Sequence, residues 1–255
     1  LSWSKPAIPS RGTWPIETDR LVAYMSKAAR EAKVHTSWTD TKDDYEAALG
    51  RFIEAVTADG DFRREFEGFM DRHSVAGTGR ATSLSMTTLL LTCPGVPDIY
   101  QGTETWDNSL VDPDNRRPVD FEALATDLKV VGDWGPDALA DGSRPAGDGA
   151  AKLWLTARLL AHRARRPEAY ATGEYRELIG QGSRADPLVA FERPGLVVLA
   201  GRHLARLGGD WDGTTVELPA GRWRAVIGSG GAELRAGAHP VAGILGGGPV
   251  AVLEA

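Results

Sequence analysis

A single cysteine, Cys93, stands among 255 residues. It leaves no partner for an internal disulfide and too few thiolates for a cysteine-held zinc, which suits a reducing compartment and points to the cytoplasm. There is no basic surplus either. Twenty-nine Lys and Arg against 35 Asp and Glu give a formal charge of -6, so neither a phosphate backbone nor an anionic bilayer surface finds the cations it needs, and no nucleic-acid or membrane partner is expected. No apolar run reaches the roughly 20 residues that span a bilayer. The segment 81–96 carries no charge and is rich in Ser and Thr. No basic segment followed by an apolar one marks a signal peptide, and the chain opens at Leu1 without methionine, which is expected of a processed, truncated or frame-disrupted product. Metal motifs are missing as well. The five histidines show no i, i+4 pair, and the run from Asp112 to Arg117 starts like a calcium loop but places arginine where that loop needs glycine. No metal and no cofactor is expected.

The sequence does have enough apolar residues for a core, 42% hydrophobic against 25% charged, and an uneven distribution of glycine. Seventeen of the 30 glycines lie in the 88 residues from Glu168 onward, where helical spacing gives way to short alternating runs. Two domains are expected, 1–167 and 168–255. In the first, helices are predicted from Thr18 or Asp19 to about Val34, from Asp43 or Asp44 to Ala58, and through Phe62 to Met70. Leu49, Phe52, Ile53 and Val56 recur at i, i+3, i+4 and i+7. A helix covered on all sides is expected to end before Pro94-Gly95, followed by a buried strand over Val96–Gln101 as the αβ half of an α/β unit. Gly77-Thr78-Gly79-Arg80 lacks the third glycine of a dinucleotide loop and reads as a turn between helices. A Gly-rich connection over 131–149 and a strong helix over Ala150–Arg165, stopped by Pro167, complete this part.

From Tyr175 the runs are β: 175–179, 188–192, 196–200, 215–218, 223–227 and 250–253. Arg193-Pro194-Gly195, Asp212-Gly213 and Pro219-Ala220-Gly221 separate them as turns. A small antiparallel β-sandwich or open barrel is predicted.

Two clusters carry candidate chemistry. Lys33, His35 and Trp38 gather a cation, an imidazole and an indole just past a helix end. Sugar recognition uses such a mixture, with fixed polar groups for hydroxyls and an aromatic face for the pyranose ring; a capping segment with Trp38 plugging the core explains the same residues. The polar loop 102–121 sets Glu104, Asp107, Asp112, Asp114 and Asp120 around Arg116 and Arg117, which can form a charge network. That network holds a ligand or merely the loop.

At this loop the sequence resembles a known family. Pro94-Gly-Val-Pro-Asp-Ile-Tyr-Gln-Gly-Thr-Glu104 is similar to the stretch on the last barrel strand of the α-amylase superfamily, the family 13 glycoside hydrolases. The string from Thr92 to Glu104, with Ser109-Leu-Val-Asp-Pro-Asp-Asn-Arg-Arg-Pro-Val-Asp-Phe121, resembles the malto-oligosyltrehalose synthase branch. So do Arg30–Trp38, 74–79 and Leu218–Trp223, and the likeness runs from about Trp14 to the end, whereas 1–11 does not look like the family. The resemblance implies an α/β plus all-β fold: the C-terminal part of a (β/α)8 TIM barrel, then the β domain. It implies an isomerase that converts the reducing-end α-1,4 linkage of maltodextrins into an α,α-1,1 linkage for trehalose synthesis, without cofactor. Its catalytic carboxylates lie on earlier barrel strands, so no catalytic residue is assigned here and the segment is expected to be inactive alone. Asp112, Asp114, Arg116, Arg117, Lys33, His35 and Trp38 are expected to bind the maltodextrin. An α-amylase-like hydrolase fragment and a non-catalytic carbohydrate-binding module are the competing readings.

Overall fold

A computed structural model describes residues 16–73, 75–140, 149–171, 173–229, 231 and 233–255. The opening stretch 1–15, Ser74 and the middle of the connection expected over 131–149 lie outside them. The helices are α1 (Thr18–Ala32), α2 (Asp43–Ala58), α3 (Gly60–Arg72), α4 (Val75–Thr92), α5 (Phe121–Val131), α6 (Ala150–Arg165), α7 (Pro167–Ala171), α8 (Leu204–Leu207) and α9 (Val241–Leu245). The strands are β1 (Arg176–Glu177), β2 (Gly180–Gln181), β3 (Leu188–Arg193), β4 (Leu196–Gly201), β5 (Thr215–Ile227), β6 (Leu234–Pro240) and β7 (Val250–Glu254). They fall into two units, one containing α1, α2, α3 and the loop 107–119, the other containing α4 to α9 and all the strands.

In the second unit every strand pairing is antiparallel, in the order β1-β3-β4-β7-β5-β2 with β6 on β5. β4 reads Leu-Val-Val-Leu-Ala-Gly without polar alternation because both of its faces are covered. Val198 and Ala200 join Phe191, Val250 and Val252 in a core shared with Leu91, Leu155 and Leu159 of α4 and α6. On the other face Val197 and Leu199 join Val216, Leu218, Trp223, Ala251 and Leu253. Burying each such Leu contributes roughly 2 kcal/mol. β5 reaches both parts of the sheet, pairing β6 over its length and β7 near its end.

Several expectations need correction. No strand forms over Val96–Gln101, where the backbone is irregular and Val96 is 97% exposed. A parallel strand needs a neighbour for its amides and carbonyls, and every strand among the described residues runs in the antiparallel sheet. α4 exists, but it is covered on one side only, with Leu84, Thr88 and Leu91 buried and Met86 and Leu90 exposed. Its uncharged surface comes from Ser and Thr; the Thr88 and Thr92 hydroxyls donate to the carbonyls four residues back. Gly77–Arg80 is not a turn: it lies within α4, with open space where a Cβ would sit on either glycine. Pro219-Ala220-Gly221 does not separate two strands. It is a register shift inside β5, held by Trp223 Nε1 donating to the Pro219 carbonyl at 3.0 Å. β1 covers only two residues of the run expected over 175–179, and α5, α7, α8, α9, β2 and β6 form where the sequence pattern gives no element. α1 stops at Ala32 because Lys33 takes the left-handed conformation, φ 56°. On α2 only Ile53 is buried, and Phe52 faces outward with 66% exposure.

One buried cluster ties the helices to the last strand. His162 on α6, 1% exposed, has Nδ1 2.5 Å from the Tyr170 hydroxyl and Nε2 3.1 Å from Glu254. A carboxylate only accepts, so Nε2 carries the proton and Nδ1 accepts from the phenol. Burial lowers the His162 pKa, with Glu254 pulling it up and Arg165 and Arg166 down. Burial likewise pushes the Tyr170 hydroxyl up to about 12. A histidine kept neutral in the fold favours the native state above its unfolded pKa near 6.5, and that contribution is lost as pH falls below it. The urea midpoint of the chain is therefore expected to drop between pH 7.5 and 5.5, and His162→Gln should flatten that drop. A midpoint level across the window in the native chain would contradict this.

Candidate functional site

All seven sequence candidates fall in the first unit, on or beside α1. This helix is amphipathic and half-buried, and its cations at positions 20, 27 and 30 serve two neighbouring segments. Arg20 and Lys27, seven residues apart, share one face. They hold the 107–119 loop. Arg20 Nε and Nη2 donate to the two carboxylate oxygens of Asp114 at 2.9 and 2.8 Å, a bidentate pair that is largely shielded from water. Lys27 Nζ donates to the Asp112 carbonyl.

Asp114 is saturated by the fold. Its Oδ2 also accepts the Leu110 amide at 2.6 Å, and Arg117 Nε lies 3.3 Å from Oδ1. Arg20 holds its carboxyl below the usual aspartate range, against the opposing effect of burial, so it is a fixed anion at neutral pH and no proton donor. A turn of 3₁₀ helix over Asp114–Arg116 begins at this anchor. It leaves the Arg116 and Arg117 side chains exposed, Arg116 paired with Asp112 and Arg117 donating to the Asp114 carbonyl at 3.0 Å and the Ser109 hydroxyl at 3.2 Å. The Asn115 Oδ1 is buried without a hydrogen-bond partner.

Beyond Lys33, the second cluster is braced from below. Thr36, 3% exposed, donates to Glu46 Oε1 at 2.7 Å and accepts the Lys42 amide at 3.1 Å. Arg30 donates twice to Glu46, at 2.8 and 2.5 Å, and this pairing, helped by Thr36, lowers the Glu46 pKa to about 2. The same guanidinium lies 5.0 Å from the Trp38 ring. Trp38 does not plug the core: it is 55% exposed, its ring stacked on a fixed cation. His35 packs on Tyr45 with ring centres 5.1 Å apart, and Lys33 and His35 are exposed.

The expected charge network is smaller than the sequence suggests. Asp107 turns to the Ser109 amide and hydroxyl, and Asp120 caps α5 by accepting the Ala123 amide at 2.9 Å. The sequence offers Thr36 only as one hydroxyl of the Lys33–Trp38 cluster, and it gives no sign of the bracing roles of Arg20, Lys27, Arg30 and Glu46. Arg20 and Asp114 are 94 positions apart, and no local spacing links them. Arg30 was within a recognised string, but nothing in that string points to Glu46. Among the described residues no group of three or more His, Cys, Asp or Glu could hold a metal, and no helix is long and apolar enough to cross a membrane.

The arginine pair on its braced turn is exposed, and, as a separate cluster, the Trp38 indole is exposed beside Lys33 and His35; each offers groups of the kind that meet a neutral polyhydroxylated ligand. Hydroxyls accept from fixed donors, and a sugar face stacks on the ring. No family model matches the chain. It is 35% identical over 221 residues to the protein named "Putative maltooligosyl trehalose synthase" in two strains of Mycobacterium tuberculosis, a match covering 83% of this chain and 26% of that protein. Among solved structures, maltooligosyltrehalose synthase from Arthrobacter ramosus superposes with a TM-score of 0.80 at 36% identity, over 94% of this chain and 30% of its own. A second structure titled maltooligosyl trehalose synthase gives 0.71 at 28% identity and 93% coverage of this chain.

Proposed function

The chain belongs to the maltooligosyl trehalose synthase family, of whose members it spans between 26% and 30% of the length, and we propose that it is the C-terminal part of an isomerase acting on maltodextrins. In that reading the whole protein, an α-amylase-superfamily enzyme of the cytoplasm, transfers the reducing-end glucose within the substrate. The α-1,4 linkage is exchanged for an α,α-1,1 linkage, giving a maltooligosyl trehalose. Residues 1–167 belong to the end of the catalytic barrel and 168–255 to the β domain behind it. The observation that carries the reading is the pair of long motifs, Thr92–Glu104 and Ser109–Phe121, within a chain that superposes on these synthases over nearly its whole length.

A retaining transfer needs two carboxylates about 5–5.5 Å apart, one nucleophile and one acid/base. Asp114 is unsuited to either role, being locked to Arg20, and the catalytic pair belongs to the part of the protein upstream. This portion contributes to the wall around the released sugar. The glucose must turn over and present its anomeric hydroxyl to the covalent intermediate before water does, so polar groups that retain it decide transfer against hydrolysis. Arg116 and Arg117, with Lys33, His35 and Trp38, supply that wall. Arg116→Ala in a full-length protein carrying this segment is expected to raise free glucose relative to trehalose product about threefold to tenfold, equivalent to ~1 kcal/mol in the partition. An unchanged product ratio would remove the wall.

A further inference from the structure

We propose that Arg20 is a positioning residue for this reaction: through its bidentate grip on Asp114 it sets the turn that presents Arg116 and Arg117. The inference rests on the reading of that turn as a substrate wall, and adds to it a residue that precedes the turn by 94 positions.

Arg20 sits on the first turn of α1, and its guanidinium plane matches the Asp114 carboxylate edge to edge, at 2.9 and 2.8 Å. Such a pair fixes orientation as well as distance, which a lysine on the same stem cannot do. Both side chains are about seven-eighths buried, so the grip is neither a flexible surface pair nor much weakened by salt. Asp114 then relays the constraint in two directions. Oδ2 accepts the Leu110 amide at 2.6 Å, closing the loop back on itself over four residues. Its backbone opens the 3₁₀ turn, and its carbonyl accepts from Arg117. Without Arg20, the carboxylate would lose both of its helix contacts, and among the hydrogen bonds from α1 to the turn the one from Lys27 to the Asp112 carbonyl would remain. A displacement of about 1 Å in a positioning group can cost a hundredfold in rate.

The test uses the full-length protein carrying this segment, with Arg20→Gln, Arg20→Lys, Arg116→Ala and the double variant of Arg20→Gln with Arg116→Ala. Two quantities are read: hydrogen exchange at the Leu110 amide, and the ratio of free glucose to trehalose product. Arg20→Gln is expected to speed Leu110 exchange at least tenfold and to raise the glucose ratio as far as Arg116→Ala does. Arg20→Lys should recover part of each, and the double variant should not exceed Arg116→Ala alone. Unchanged Leu110 exchange in Arg20→Gln, or an Arg20→Lys protein indistinguishable from it in both readouts, overturns the proposal. Faster exchange with an unchanged product ratio, while Arg116→Ala raises it, overturns Arg20 and leaves the wall standing. If Arg116→Ala has no effect but Arg20→Gln does, the wall reading of Arg116 fails and Arg20 acts through the rest of the turn. Should Arg20→Gln not fold, Arg20→Lys carries the same comparison on its own.

Discussion

Replacing Gly228 by alanine is expected to destabilise the sheet unit by about 3–5 kcal/mol, a large share of the roughly 5–15 kcal/mol that holds an ordinary domain together. Gly228 follows the end of β5 with φ +118°, a backbone region closed to residues with a Cβ. A Cβ built there would stand 2.7 Å from the Ile244 carbonyl oxygen and 2.8 Å from the Ala251 Cβ. Neither can withdraw easily. Ile244 O accepts the Ser229 amide at 2.9 Å, and Ala251 is fully buried in β7, paired to Leu199. The substitution therefore adds backbone strain of ~1–3 kcal/mol to overpacking of similar size. Gly208→Ala is the control: its φ is +63° but nothing lies within 4 Å of the added methyl, so only the strain remains, about 1 kcal/mol. Urea denaturation of both variants checks this. Equal losses at the two positions would show that the close approach costs nothing.

Arg193→Ala is expected to cost about 3–5 kcal/mol. Arg193 is 2% exposed, and its two terminal nitrogens donate to the Thr92 carbonyl at 3.0 Å and the Tyr170 carbonyl at 2.7 Å. The first is the last residue of α4 and the second belongs to α7, so one guanidinium on β3 ties two helix ends to the sheet. Both carbonyls lie beyond the reach of their own helix hydrogen bonds. Deleting the donor leaves them unsatisfied, at about 1–3 kcal/mol each, and opens a cavity besides. Burial already lowers the Arg193 pKa, and Arg163 adds to that, so the cation itself is held at some cost. Arg193→Met, which keeps volume and removes the charge, should accordingly lose less than Arg193→Ala. A melting temperature for Arg193→Ala within a degree of the native chain would refute the linking role.

Much of the fold is legible in order along the chain. α2, α3 and α6 show in their apolar spacing, and β3, β4 and β7 in their apolar runs between turn residues. In each case the neighbouring few residues decide the outcome. The failures have a common physical source. Val96–Gln101 has the residues of a strand and no strand beside it, and a strand exists only by pairing. Phe52 has the period of a core position and lies exposed, because period selects a face and not what covers it.

The candidate site divides along the same line. The sequence alone determines which groups are available: the motifs between Thr92 and Phe121, the arginines at 116 and 117, the indole and imidazole past α1, and through the motifs the resemblance to a family. Only the tertiary structure decides which of them are free to meet a ligand. It takes Asp114 out of that set by clamping it to Arg20, turns Trp38 outward over Arg30, and leaves Arg116 and Arg117 exposed on a turn with a fixed base. The reason is range. Propensity and periodicity act over a few residues, whereas a bidentate ion pair joins whatever the fold brings within 3 Å, here two residues separated by 94 positions.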